Sequence, residues 1–235
     1  MTVAVIRFGG SNCDRDTVAA LEHLGFDAEL VWYKDDLPED TAGIIVPGGF
    51  SYGDYLRAGS MAAQEPIMDQ VRSAVEDGTP TLGICNGAQI LAEARLVPGA
   101  FTVNESARFQ CERVHVRIES TSSPFTQAYE VGDVIELPIA HGEGRFEADD
   151  AIIDQLEADD RVLFRYCTPD GEVTEAANPN GSRRNIAGVA GEHDNVAVLM
   201  PHPERATLPD LGLTDGQGVL QGLATSRDVT ATTSG

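Results

Sequence analysis

The chain has 235 residues, 42% of them hydrophobic, which is enough for one sizeable core, and its 38 acidic against 16 basic side chains leave a formal charge of −22. That balance excludes a phosphate-backbone partner, since nucleic-acid binding needs a basic footprint. Lys34, the single lysine, sits in WYKDD away from any phosphate-loop, Ser-x-x-Lys or Schiff-base setting, so the chain is not expected to bind ATP in that way.

The acidic residues are spread along the chain rather than gathered in a tail. This pattern suits a halophilic protein kept soluble in a very salty cytoplasm, where screening weakens self-repulsion. Cys13, Cys85, Cys111 and Cys167 form no CxxC pair, so no metal site or disulfide framework is indicated and a reducing compartment is expected. No basic, cleavable leader precedes the first strand-like run, and no apolar run reaches about 18 residues, so a cytoplasmic location without membrane attachment is expected.

In chain order, TVAVIRF (2–8) reads as a buried strand, 14–24 as a helix with Val18, Leu21 and Leu24 on one face, and AELVWY (28–33) as a second strand. GIIVPGG (43–49) adds a strand ending in a glycine turn, 65–76 a helix, and PTLGIC (80–85) the strand that delivers Cys85. Uninterrupted apolar strands alternating with helices imply a parallel sheet covered on both faces, with functional residues at the strands' carboxyl ends.

From Cys111 the pattern changes. ERVHVRIES (112–120), DVIELPIA (133–140), RVLFRYC (161–167) and NIAGVAG (185–191) read as antiparallel strands, with a short helix over 149–157. NPNGSRR (178–184) reads as a tight connection, VAVLMPHPER (196–205) as the last strand and its exit, 215–223 as a final helix, and 225–235 as a flexible tail. The expected fold is α/β, one domain over 1–224 with a mixed, mostly parallel central sheet and helices on both faces.

Within TLGICNGAQILAE (81–93), Cys85 stands between a short buried strand and a helix, the setting of a nucleophile elbow. Flanking Gly83 and Gly87 permit a strained turn, and the free N–H groups of a following helix favour the reactive thiolate. A buried structural cysteine is the competing explanation. A thiol hydrolase also needs a base, and MPHPER supplies His202 with Glu204 two residues on, stiffened by Pro201 and Pro203. His23, His115 and His193 are better explained as ordinary helix, strand and turn positions. Acyl transfer needs donors for a developing oxyanion. The Asn86 N–H is one, and Gly48–Gly49 in PGGFSYGDYLRAG (47–59) offer another unless they are simply a flexible loop.

Together, G-x-C-x-G-x-Q in GICNGAQ and the downstream His202-Pro203-Glu204 resemble the class I glutamine amidotransferases. GGSNCD (9–14), PGGFSYGDYLRAG, the Asn after the cysteine, HGEGRF (141–146), NPNGS and PHPER, in that order across 3–223, are similar to the glutaminase subunits of phosphoribosylformylglycinamidine synthase. The resemblance implies that Cys85 attacks the side-chain amide of glutamine and forms a thioester. It implies that His202, oriented by Glu204, handles the protons, and that Gly48, Gly49 and Asn86 serve the oxyanion. It further implies that Gln89, His141 and Gly142 line the glutamine pocket, although HGEG also reads as a plain glycine-rich turn.

GGSNCD equally fits a βα turn whose Asn12 or Asp14 caps a helix. Gly9-Gly10 departs from the Pro-Gly of many relatives. The implied partners are a large synthetase subunit that converts formylglycinamide ribonucleotide, and a small third subunit. No cofactor is implied in this chain, with ATP and Mg on the synthetase. A stand-alone cysteine hydrolase or peptidase of similar fold and a non-catalytic glutamine sensor are the competing functions.

Overall fold

The structure is a computed structural model and describes residues 2–224. In chain order the strands and α-helices are β1 (Thr2–Arg7), α1 (Asp14–His23), β2 (Asp27–Trp32), β3 (Thr41–Val46), α2 (Ile67–Glu76), β4 (Thr81–Ile84), α3 (Asn86–Glu93) and β5 (Ala100–Thr102). They continue with β6 (Gln110–Ile118), β7 (Val134–His141), β8 (Arg145–Glu147), α4 (Asp150–Ala158), β9 (Val162–Cys167), β10 (Ile186–Ala190), β11 (Val196–Leu199) and α5 (Gln217–Gln221). The tail expected at 225–235 lies outside the described residues.

Nine strands form one sheet in the order β2-β1-β3-β4-β11-β10-β9-β6-β7. From β2 to β11 every neighbour is parallel, and from β11 to β7 every neighbour is antiparallel. Strands β4, β11 and β10, adjacent at the centre of the sheet, are buried along their whole length, as expected where both faces are covered. The chain steps outward from β1 to β2, then returns past β1 to β3 and β4. Right-handed crossovers therefore put α1 and α2 on opposite faces, with a switch point between β1 and β3. The carboxyl ends of β1, β3, β4 and β11 lie side by side.

Three local details differ from the sequence reading. Helix α2 starts at Ile67 rather than 65, because Pro66 forces Glu65 into extended backbone with ψ 144°. Helix α5 is shorter than 215–223, because Asp215 is held by tertiary contacts: its carbonyl accepts from the Tyr129 hydroxyl at 2.7 Å and its carboxylate from Glu136 N–H at 2.9 Å. A separate antiparallel pair, β5 with β8, was not anticipated. Its three-residue strands are too short to show a period, and the edge-on packing of Phe101 and Phe146, 5.7 Å apart, ties them together.

Candidate active site

Cys85 is the residue between β4 and α3, and its backbone is strained, at φ 51° and ψ −107°. Its N–H continues the β4–β11 ladder to the Leu199 carbonyl at 2.9 Å, while its own carbonyl accepts from Ala88 and Gln89 at the start of the helix. The strain sits on the cysteine itself. The flanking glycines serve close approach: a Cβ on Gly87 would fall 1.8 Å from the Val46 carbonyl oxygen, and one on Gly83 would fall 2.7 Å from that of Gly87. The thiol is buried and points toward the Ala140 carbonyl, 3.7 Å away.

His202 leaves the end of β11 and meets this thiol. A Cβ built on Gly48 would lie 2.8 Å from His202 Cε1, 3.0 Å from Cys13 Sγ and 3.4 Å from Cys85 Cβ, so side chains from the ends of β11 and β4 and from the residue before α1 crowd one point. His202 Nδ1 donates to Glu204 Oε1 at 2.6 Å, with both side chains buried. That bond leaves Nε2 facing inward without a hydrogen-bond partner among the described residues. Burial acts to lower the imidazole pKa, but the Glu204 carboxylate, the Cys85 sulfur and contacts to the Cys13 and Cys85 thiols together hold it well above the ordinary value. The His202 N–H donates to the Pro138 carbonyl at 2.8 Å, which anchors the segment on β7.

The glycine loop after β3 lies against the turn after β1. Phe50 N–H donates to Gly10 O at 3.0 Å, and Asn12 and Cys13 N–H groups converge on Gly48 O at 3.4 and 3.1 Å. This pairing forms a bridge between Ser11 and Gly49. It uses the N–H groups on either side of that bridge and turns the N–H of Gly49 itself away from Ser11. Gly49 has φ 151°, and a Cβ there would strike Ser11 Cα at 2.7 Å, so only glycine fits. Asn86 locks the loop to α3, its Oδ1 accepting from Ser51 N–H at 3.1 Å. As the first residue of α3, it has an N–H that no carbonyl within the helix can take.

His141, at the end of β7, is also buried but has different company. Its Nδ1 donates to Asn104 Oδ1 at 3.1 Å, an oxygen that also accepts from Gly144 N–H at 2.9 Å. Asn104 Nδ2 in turn donates to the carbonyls of Arg108 and His141. These bonds fix the amide, and hence the tautomer, so Nε2 is a bare acceptor without a partner among the described residues. Burial, helped by nearby His202, pushes the pKa down to about 4, and the ring stays neutral. It covers Gly144, where a Cβ would lie 2.4 Å from Nδ1, which accounts for the second glycine of HGEG.

The structure thus brings together Cys85, His202, Glu204, Gly48, Gly49 and Asn86, with His141 beside them. Gln89 contacts the same wall: its Oε1 accepts from Asn86 Nδ2 at 2.8 Å and its Nε2 donates to Glu143 O at 2.7 Å, tying α3 to the HGEG turn. Gly142 is in open space, with Phe109 the nearest neighbour of a Cβ at 3.8 Å, and its carbonyl accepts from Asn104 N–H.

Sequence reasoning missed Cys13, Asn104, Asn180 and Ser182. Asn180 and Ser182 are buried in NPNGS and hold the HGEG turn through Gly144 O and Phe146 N. The motif's turn composition was visible, but its burial was not. Among the described residues, Cys13, His202 and Glu204 offer ligand atoms within 4.8 Å of one another. The Arg205 guanidinium, 3.1 Å from Cys13 Sγ, already places positive charge there and works against a metal ion. No helix among the described residues is long and apolar enough to cross a membrane.

Residues 1–210 match the family described as a CobB/CobQ-like glutamine amidotransferase domain. The phosphoribosylformylglycinamidine synthase subunit PurQ of Natronomonas pharaonis is 68% identical over 222 residues, covering 94% of this chain and 99% of its own length. That of Halobacterium salinarum is 69% identical over 224 residues, covering 95% and 100%. Both sources are halophilic archaea, in keeping with the acidic composition. A chain of the PurLQS structure from Thermotoga maritima superposes with a TM-score of 0.83 at 43% identity, covering 94% of this chain and 96% of that one. A Thermotoga maritima glutamine amidotransferase, 15% identical with a TM-score of 0.57, shares the fold.

Proposed function

The chain belongs to the glutamine amidotransferase family of phosphoribosylformylglycinamidine synthase PurQ subunits, and from that premise we propose that it is the glutaminase of such a synthase. It hydrolyses glutamine and passes ammonia to a synthetase subunit that converts formylglycinamide ribonucleotide to formylglycinamidine ribonucleotide with ATP in de novo purine biosynthesis. The carrying observation is the convergence of Cys85, on its strained elbow, with the His202–Glu204 pair over Gly48.

In this reading the Cys85 thiolate attacks the side-chain carboxamide carbon of glutamine, and the oxygen takes the negative charge. The N–H groups of Gly49 and Asn86 stabilise that oxyanion. His202, protonated and held by Glu204, gives its Nε2 proton to the departing nitrogen, which leaves as ammonia and a glutamyl thioester remains. Neutral His202 then takes a proton from water, which attacks the thioester. That proton restores the imidazolium, and collapse expels the Cys85 thiolate and frees the γ-carboxylic acid, which loses its proton to solvent as glutamate. His141 and Gly142 line the glutamine pocket, and Gln89 holds that wall through Glu143.

The partners are a large synthetase subunit and a small third subunit, a reading supported by the similarity to a chain of PurLQS. ATP and Mg belong to the synthetase, and the complex works in the cytoplasm. Near the glycine loop, Phe50, Tyr55, Leu56 and Phe109 are exposed, with the Phe50 and Phe109 rings 6.3 Å apart. An apolar rim of this kind suits a subunit that docks over the thiol. A peptidase reading is disfavoured because Cys85 is only 5% exposed, and a polypeptide main chain is harder to bring to a buried thiol than a single amino-acid side chain.

The test is Cys85→Ala in the assembled complex. Glutamine-dependent product formation should fall by about 10³-fold or more, while synthesis from free ammonium continues at the wild-type rate. Retained use of glutamine, or loss of both activities, would refute the assignment.

A further inference from the structure

The Gly9–Cys13 turn lies outside the chemistry so far assigned, yet it contacts two parts of the machinery. Its backbone holds the glycine loop: Gly9 O and Gly10 O accept from Tyr52 and Phe50 N–H groups at 2.7 and 3.0 Å, and Cys13 N–H donates to Gly48 O at 3.1 Å. Its one buried polar side chain, Cys13, reaches the base. Cys13 Sγ shares the point above Gly48 with His202 Cε1, lies within 4.8 Å of the ligand atoms of His202 and Glu204, and accepts a hydrogen bond from Arg205 Nη2 at 3.1 Å. Arg205 is fixed in turn by Asp16 of α1, 3.3 Å from its Nε. Cys13 Sγ also lies 3.3 Å from Asn12 Oδ1, an acceptor for the thiol proton.

We propose that Cys13 is a positioning residue for glutamine hydrolysis: its backbone sets the oxyanion loop and its side chain sets the His202 imidazole, so one residue fixes the spacing between them. This inference rests on the glutaminase reading.

The placement explains why a thiol is there. The site needs a small, polarisable side chain that packs against the edge of an imidazole and still accepts from a guanidinium. Burial keeps Cys13 itself above the ordinary thiol pKa, against the pull of His202 and Arg205, so it is a neutral partner and not a second nucleophile. Around His202 the charged and titratable groups are Glu204 and Arg205 from its own segment, Cys85 from the start of α3, Cys13 from the turn after β1, and His141 from the end of β7. Cys13 is the member of this set that also carries the oxyanion loop.

The experiment compares Cys13→Ala and Cys13→Ser in the assembled complex. Cys13→Ala should lower the glutamine-dependent kcat by about 10- to 100-fold, the scale of a misplaced catalytic group. The KM for glutamine should stay within about twofold, and the ammonium-dependent rate should not change. The basic limb of the kcat profile should move to lower pH, because the imidazolium loses the polarisable sulfur packed against its edge. Cys13→Ser, which keeps a small acceptor for Arg205, should recover part of the rate.

A wild-type kcat and pH profile in Cys13→Ala would overturn the inference and leave the glutaminase reading intact. Loss of the ammonium-dependent reaction in both variants would also overturn it, making Cys13 a residue of the fold. Failure of the unmodified complex to use glutamine would instead remove the reading on which the inference rests.

Discussion

Two buried histidines approach Cys85 from different halves of the sheet, and their surroundings drive them in opposite directions. His202 follows a parallel strand and is paired to a carboxylate; His141 ends an antiparallel strand and is paired to an amide. Burial lowers both pKa values, but only Glu204, with the thiols beside it, reverses the effect. Position in the core therefore does not decide what a histidine does. The charge of its Nδ1 partner does: a carboxylate makes a base that can hold a proton, and an asparagine oxygen makes a neutral wall with one bare acceptor.

The largest expected effect comes from making the first cluster resemble the second. Glu204→Gln should lower the glutamine-dependent kcat by about 10³-fold, because the amide neither stabilises the imidazolium nor fixes its tautomer. The ammonium-dependent rate should be untouched. A loss of less than about tenfold would mean that Glu204 orients His202 only by packing.

The reverse exchange should act on stability. In Asn104→Asp an acceptor replaces the Nδ2 that now donates to Arg108 O and His141 O, so two carbonyls face a carboxylate. Chemical unfolding at constant salt should show a loss of about 3 kcal/mol at neutral pH, from several buried groups left without partners. A change under about 1 kcal/mol would show that the amide network relaxes freely.

The smallest effect is a slope. His141 has a folded pKa of about 4 against an ordinary value of 6.5. Above 6.5 folded and unfolded states hold the same number of protons there. As pH falls from 6.5 toward 4 only the unfolded state takes the proton, so stability drops by about 1.4 kcal/mol per pH unit. His202 works the other way, contributing stability below 6.5 that is lost as pH rises through its raised folded pKa. In His141→Gln the acid-side slope should flatten by about one proton. An unchanged slope would place the acid sensitivity elsewhere.

Much of this arrangement is legible in the sequence. Each apolar strand of the parallel half stands close to where its periodicity put it, and Cys85, Gly48–Gly49 and His202 fall at the ends of β4, β3 and β11 because buried strands end in glycine or proline turns. The second cluster was far less legible. Asn104 lies in an irregular segment with no period, and Asn180 and Ser182 look like ordinary turn residues. They matter through bonds to Gly144 and Phe146, 36 positions from each partner. Cys13 was visible in its motif, but its contact with Arg205 spans 192 positions, beyond any local pattern.

By itself the sequence marked out the candidate set: a thiol between strand and helix, a histidine two residues before a glutamate, and glycines where backbone must approach. Those follow from local rules, since turn chemistry and strand burial are encoded within a few residues. Tertiary structure alone decided which groups share one space and what charge each carries. The edge strand β7 returns to the site, placing Pro138 O on His202 N–H and Ala140 O beside Cys85. It also decided that His202 would be driven toward the imidazolium and His141 toward the neutral ring, because a pKa depends on burial and on neighbours brought in from distant chain segments.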